Sequence, residues 1–98
     1  MNKSENPNWE EKSREYLRNK ILPRLQEIQR DLAGNLPGVS FNVRVDGDTG
    51  SMSAHASVFD DTCKIIDRCT VNFFHVDNKE EIDDEYNKLA EFLKKYSA

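Results

Sequence analysis

Two runs of alternating residues flank a five-residue turn, and this constrains the fold more than anything else in the chain. Val39, Phe41, Val43 and Val45 alternate with Ser40, Asn42, Arg44 and Asp46. Beyond Asp46-Gly47-Asp48-Thr49-Gly50, residues Met52, Ala54, Ala56 and Val58 alternate with Ser53, His55, Ser57 and Phe59. A period of two is that of a strand buried on one side, because successive side chains point to opposite faces. Asp and Gly between the runs tolerate the positive φ of a tight turn. The pattern predicts an antiparallel hairpin with one apolar face, which has to be covered. Small Ala54 and Ala56 leave room for a covering helix to approach closely.

Stretches with helical period stand on both sides. From Trp9 the apolar residues recur as Tyr16/Leu17, Ile21, Leu25, Ile28 and Leu32, steps of three and four that make one stripe. Asn8 reads as the N-cap with Glu11 as its capping-box partner. Pro23 removes a backbone donor and crowds the preceding turn, so a kink is expected near Asn19–Pro23. The stripe keeps its phase past Pro23, so the helix is expected to bend rather than end. Gly34 reads as the stop and Leu36-Pro37-Gly38 as the turn out. Near the end, Ile82, Tyr86, Leu89, Leu93 and Tyr96 form a second stripe, capped by Asp77 or Asn78 with Glu80 or Glu81 at the third helical position.

After the turn signal Asp60-Asp61-Thr62, residues 63–76 admit two readings. One is a single long, bulged strand. The other is a short strand at Cys63–Ile66, a turn at Asp67-Arg68 and a final strand at Cys69–Val76. Parity favours Cys69, Val71 and Phe73 inward, with Thr70, Asn72 and Phe74 outward.

The whole is predicted to be an α+β two-layer sandwich: helix, antiparallel meander of three or four strands, helix, with both helices on one face of the sheet. Residues 1–7 are expected to be a flexible terminus and 8–98 a single domain. Ninety-eight residues with 37% apolar and 33% charged composition suit one thin core under a solvated surface. No run approaches the roughly 18 apolar residues needed to span a bilayer, so no membrane association is expected. Met1 to Pro7 lack the apolar stretch of a secretory signal, and a cytoplasmic location with Cys63 and Cys69 as free thiols follows as the expectation.

Charge is distributed unevenly. Between Asp46 and Glu85 there are 11 acidic residues against Lys64, Arg68 and Lys79, while the whole chain carries only −4. Such a block repels phosphate backbones and attracts basic partners. Asp77, Glu80, Glu81, Asp83, Asp84 and Glu85 crowd the start of the last helix, where acids favour the helix N-terminus. Two or three would suffice for that, and Glu81 with Glu85 is an unfavourable like-charge pair. These residues, with Asp46 and Asp48 in the hairpin turn, are the expected binding surface for a basic protein partner. On the first helix, Lys12, Arg14, Arg18, Lys20, Arg24 and Arg30 are nearly neutralised by interspersed acids, which reads as a solvated face.

No residue pattern points to a cofactor. Asp46, Asp48 and Gly50 hint at a calcium loop, but its sixth and twelfth positions here are Ser51 and Ser57, where glycine and a bidentate glutamate are required. Cys63, Cys69 and His75 along one strand would stand about 20 Å apart from neighbour to neighbour, too far to share zinc. A turn at Asp67 would instead bring Cys63 and Cys69 opposite each other, where a disulfide could form under oxidising conditions. His55 has Ser53 and Ser57 as same-face neighbours through strand alternation alone, with no carboxylate to orient it. A metal-dependent enzyme using Asp46, Asp48, Asp60 and Asp61 is the weakest alternative, since Asp is common in turns.

The helix–three strands–helix order is also that of double-stranded-RNA-binding domains, but the likeness is one of topology. Those domains place a lysine-rich run where this chain has Asn78-Lys79-Glu80-Glu81-Ile82-Asp83-Asp84-Glu85, so direct nucleic-acid binding is not expected. Phe59 and Phe74 fall on the outer, polar face of the sheet with His55, which suggests a homodimer or other self-association through that face. The expected function is therefore non-enzymatic: a small acidic inhibitor or adaptor docking a basic surface, such as one that normally holds nucleic acid, by analogy with phage- or plasmid-encoded anti-defence inhibitors. A structural homo-oligomer is the alternative.

Overall fold

The computed structural model describes residues 9–97. The terminus at residues 1–7 and the expected cap at Asn8 lie outside the described residues. The elements are α1 (Trp9–Tyr16), a π-helical turn (Leu17–Ile21), α2 (Leu22–Leu32), β1 (Val39–Val45), β2 (Met52–Phe59), β3 (Ile65–Phe73) and α3 (Lys79–Tyr96). The three strands form one antiparallel sheet in the order β1-β2-β3.

Register follows from the alternation. Val39 lies opposite Val58, Val43 opposite Ala54, and Val45 opposite Met52, so the apolar sets of β1 and β2 share a face. Val71 and Phe73 of β3 extend that face, opposite Ala54 and Met52. Both helical runs cover it. Leu17, Ile21 and Leu25 from the first, and Ile82, Leu89, Phe92 and Leu93 from α3, join Met52, Ala54, Ala56, Val58, Val71 and Phe73 in one buried cluster. Burying a Leu or Ile this fully contributes about 1.5–3 kcal/mol. Ala54 and Ala56 are completely enclosed, as expected where helices approach closely. The two-layer α+β arrangement predicted from sequence is the one observed. Phe92 was missing from the predicted α3 stripe because it lies one residue before Leu93, yet it is buried with it.

The passage past Pro23 is made by the π turn. The N–H of Leu22 reaches back to the carbonyl of Leu17, one residue further than in an α-helix. Pro23 donates no hydrogen bond and its ring crowds the carbonyl four residues back. Widening the turn ahead of it relieves that crowding and lets the helix continue. The same turn aligns Ser13, Leu17, Ile21 and Leu25, all buried. Their three successive steps of four would drift around a helix of 3.6 residues per turn.

Between Cys63 and Val76 the long-strand reading holds. Val58 lies opposite Asp67 and Phe59 opposite Ile65, which leaves Ile66 as a bulge in a continuous β3. There is no turn at Asp67. The connection before β3 is organised by Asp60, whose Oδ1 accepts from the Thr62 and Lys64 N–H groups and the Thr62 hydroxyl. Cys63 takes a positive φ of 65° there. β3 stops at Phe73, earlier than Val76, because Phe74 and Asp77 close a turn: the Asp77 N–H donates to the Phe74 carbonyl, and Asp77 Oδ2 accepts from the Phe74 N–H at 3.0 Å. α3 then opens with a capping box. Glu81 N–H donates to Asn78 Oδ1 at 2.8 Å, and Asn78 N–H donates to Glu81 Oε1 at 3.0 Å.

Candidate functional site

Phe73 turns inward and is fully buried, so Phe74 turns outward and is 52% exposed. It stands between two surface hollows. On one side Arg44, Asp46, Ser53 and Asn72 surround it at the hairpin end of the outer sheet face. On the other, a groove of about 370 Å³ is lined by Asn72, Phe74, Asp77, Glu81, Asp84 and Glu85. Glu81 and Glu85, four apart, share the side of α3 that looks toward the β3 margin, and Asp77 joins them from the turn ahead of the Asn78 cap. No lysine or arginine lines this groove.

A second, larger channel of about 710 Å³ lies between β3 and α3, lined by Asp67, Arg68, Cys69, Asp84, Asn87, Lys88, Glu91, Phe92 and Lys95, and shares Asp84 with the groove. Its far part is of mixed charge. Lys95 Nζ lies 3.4 Å from Asp67 Oδ2, which also accepts a hydrogen bond from the Tyr96 hydroxyl. That bond is the chief reason the Asp67 carboxyl is held below its ordinary pKa. This channel was missed in the sequence. The meander order alone makes β3 a sheet margin, but nothing in the residue pattern says that α3 lies alongside it.

The acidic residues singled out from sequence do not all lie together. Asp77, Glu81, Asp84 and Glu85 converge beside Phe74, and Asp46 reaches the same phenylalanine from the turn. Asp77 and Glu81 also serve the turn and the cap described above, and Glu85 pairs with Lys88 at 3.3 Å. Asp46 folds over its own turn, accepting from the Asp48 N–H and the Thr49 hydroxyl, and these bonds hold its carboxyl below the ordinary value. The side chains of Glu80 and Asp84 make no hydrogen bond or ion pair among the described residues, and both are exposed. Two residues lie apart from Phe74. Asp83 is turned inward to accept from the Tyr16 hydroxyl of α1, and Asp48 lines only the hollow that it and Asp46 share with Arg14 and Arg18. Helical spacing places Asp83 on the flank facing α1, which an acid count cannot reveal.

Phe59 and Phe74 do not form the expected joint patch. Phe59 sits at the bulge end, opposite Ile65, and Phe74 at the end where Met52 faces Phe73. At about 3.3 Å per residue they are more than 25 Å apart along the strands. The face between them is polar: His55 lies between Ser53 Oγ at 3.4 Å and Thr70 Oγ1 at 3.2 Å. Ile65 and Ile66, 47% and 59% exposed, make the bulge end apolar instead.

Neither histidine is hydrogen-bonded to a carboxylate among the described residues; His75 is bonded twice to Ser51, through Nδ1 at 3.0 Å and through its N–H at 2.9 Å. Cys63 and Cys69 are both free, one in the β2–β3 connection and one within β3. Cys69 faces the helix layer, where burial pushes its thiol pKa up. Among the described residues no three His, Cys, Asp or Glu side chains gather as a metal-holding group, and no helix is long and apolar enough to cross a membrane.

The chain matches no protein-family model, no curated protein and no solved structure.

Proposed function

We propose that this chain is a non-enzymatic binding module whose acidic end docks a basic surface on a partner protein, in the manner of a small inhibitor or adaptor. The observation that carries it is Phe74, half exposed amid Asp77, Glu81, Asp84 and Glu85 in a groove without a basic side chain. An aromatic ring rimmed by carboxylates suits Lys and Arg. The ring face attracts the cation, the carboxylates accept charge-assisted hydrogen bonds, and burial of the ring adds a hydrophobic anchor. A protein surface that normally holds nucleic acid has the matching charge.

Affinity capture from host lysate on the immobilised chain tests this, with Phe74→Ala and Asp84→Lys as parallel baits. The expected result is a basic protein, retained at low salt, released as salt rises, and lost with either variant. A captured protein held equally by all three baits, or one insensitive to salt, would refute the proposal.

A homo-oligomer is the second reading, favoured by the apolar bulge end with Ile65, Ile66 and Phe59. Light scattering after size exclusion should then show a dimer that Ile66→Lys disrupts; a strict monomer rules it out.

A further inference from the structure

β3 has β2 on one side and no strand on the other among the described residues. Its regular stretch, Asp67–Phe73, lies between the Ile66 bulge and the Phe74–Asp77 turn. Margins of sheets are commonly blunted by proline, charged side chains or a bulge; here the charges, Asp67 and Arg68, and the Ile66 bulge stand together at one end, and Cys69-Thr70-Val71-Asn72-Phe73 carries none of these. Alongside it lie the acidic groove and the larger channel, both lined by Asp84 and together referred to as the trough. The trough is graded in charge. At the Phe73 end its walls carry Asp77, Glu81, Asp84 and Glu85. At the Asp67 end acids alternate with Arg68, Lys88 and Lys95.

The opposite margin differs. Beside β1, one hollow is lined by Gln29, Leu32, Ala33, Gly34, Leu36, Pro37, Val39 and Phe41, without a charged residue, and another, at Val45, already sets Arg14 and Arg18 against Asp46 and Asp48. A basic segment gains nothing there.

We propose that the open margin of β3 receives an extended basic segment of the partner as a fourth strand, antiparallel to β3, with its basic residues in its N-terminal half. This rests on the docking role argued above and adds its geometry. Backbone hydrogen bonds to the outward N–H and C=O groups of β3 supply the register, with the Arg68 N–H exchanging its bond to Asp67 Oδ1 for one to the incoming strand, and alternate side chains meet the trough. Antiparallel pairing continues the pattern of the sheet and is slightly the more stable per residue. A strand so directed starts beside Phe73, which brings its first residues against the four carboxylates and Phe74. Its later residues lie over Cys69 and Phe92.

The test uses a blocked heptapeptide probe, Lys-Val-Arg-Val-Thr-Val-Thr, titrated onto the full chain carrying Cys63→Ser. Parallel titrations use the same peptide in reversed order and two versions methylated on alternate sets of backbone nitrogens. The parent is expected to bind and to slow thiol labelling of Cys69. One methylated set should weaken binding at least about tenfold while the other leaves it nearly unchanged, because only alternate amides face a neighbouring strand. Reversal should weaken it several-fold. If both methylated peptides bind like the parent, or Cys69 labelling is unaffected, strand addition is wrong while charge-driven docking of a basic partner stands. If no basic peptide binds although the lysate partner is still lost with Phe74→Ala, strand addition is again wrong. If neither peptide nor basic partner is held, the docking role itself fails and this inference with it.

Discussion

The Tyr16 hydroxyl donates a hydrogen bond to Asp83 Oδ1, joining the end of α1 to α3 across 67 positions of sequence. Burial, and then this bond, raise the Tyr16 pKa. The contact takes Asp83 out of the acidic trough and makes it a tie between the two helices of the covering layer. Tyr16→Phe should therefore lower unfolding free energy by about 1 kcal/mol, the usual net loss for a hydrogen bond whose acceptor stays partly buried. Asp83→Asn keeps an acceptor oxygen and should lose less. Urea denaturation measures both. Neither change should alter capture of the partner, whereas Asp84→Lys should abolish it.

Stability should hold across a broad plateau of pH and fall at both ends, for identifiable groups. Asp46, Asp60 and Asp67 have carboxyls held below the ordinary 3.8, chiefly by the Asp48 N–H, the Thr62 hydroxyl and the Tyr96 hydroxyl respectively. Depressed carboxyl pKa values contribute stability above 3.8 that is lost as pH falls through the folded values. Tyr16 and Tyr96 are raised above 10.0, chiefly by burial and by the Asp67 bond respectively. Their contribution is complete below 10.0 and is lost as pH rises through the folded values. Tyr96→Phe removes one contributor from each limb, so its stability deficit should be largest on the plateau and shrink toward both extremes. Urea midpoints measured across pH check this; a deficit constant with pH would contradict it.

Two glycines of the α2–β1 connection should respond differently to alanine. Gly38 has φ +79° and a Cβ there would meet the Phe59 carbonyl oxygen at 3.1 Å, while Gly34 has φ +76° and open space around it. Gly34→Ala meets only the backbone penalty, about 1–2 kcal/mol. Gly38→Ala adds the contact with Phe59, whose N–H donates to the Gly38 carbonyl at 2.7 Å, and should cost more. Thermal unfolding of the pair gives the order directly.

The two thiols should label in two phases. Cys63 is exposed in its turn, and Cys69 is half-buried under α3 with its pKa raised by burial. Thiolate is the reactive form, so Cys69 should react roughly tenfold or more slowly at neutral pH. Reaction with a chromogenic disulfide on Cys63→Ser and Cys69→Ser separates the phases; equal rates would contradict the burial of Cys69.

Much of the fold was legible because local signals agreed with the global arrangement. The hairpin register was written in the alternation of Val39–Val45 and Met52–Val58, and the α3 cap in Asn78 and Glu81. The π turn was half legible: Pro23 marked the place, and the run of fours through Ser13, Leu17, Ile21 and Leu25 encoded the remedy, but Ser13 is polar and does not show as part of an apolar stripe. The site was less legible because it is made between elements. Charge density located the acids, yet whether a carboxylate faces the trough, as Asp84 does, or α1, as Asp83 does, depends on how α3 is seated. Likewise two outward phenylalanines do not become neighbours by parity alone, since parity carries no information about position along the strand.

β2 alone has a strand on either side, so it is the sole member of the sheet, among the described residues, with its backbone ladder complete. Its amide protons should therefore be the slowest to exchange with solvent deuterium, and those of β3 should exchange through smaller openings. Whatever comes to lie along β3 would give it β2's protection, turning a boundary of the sheet into its interior and leaving a record of occupancy in isotope uptake.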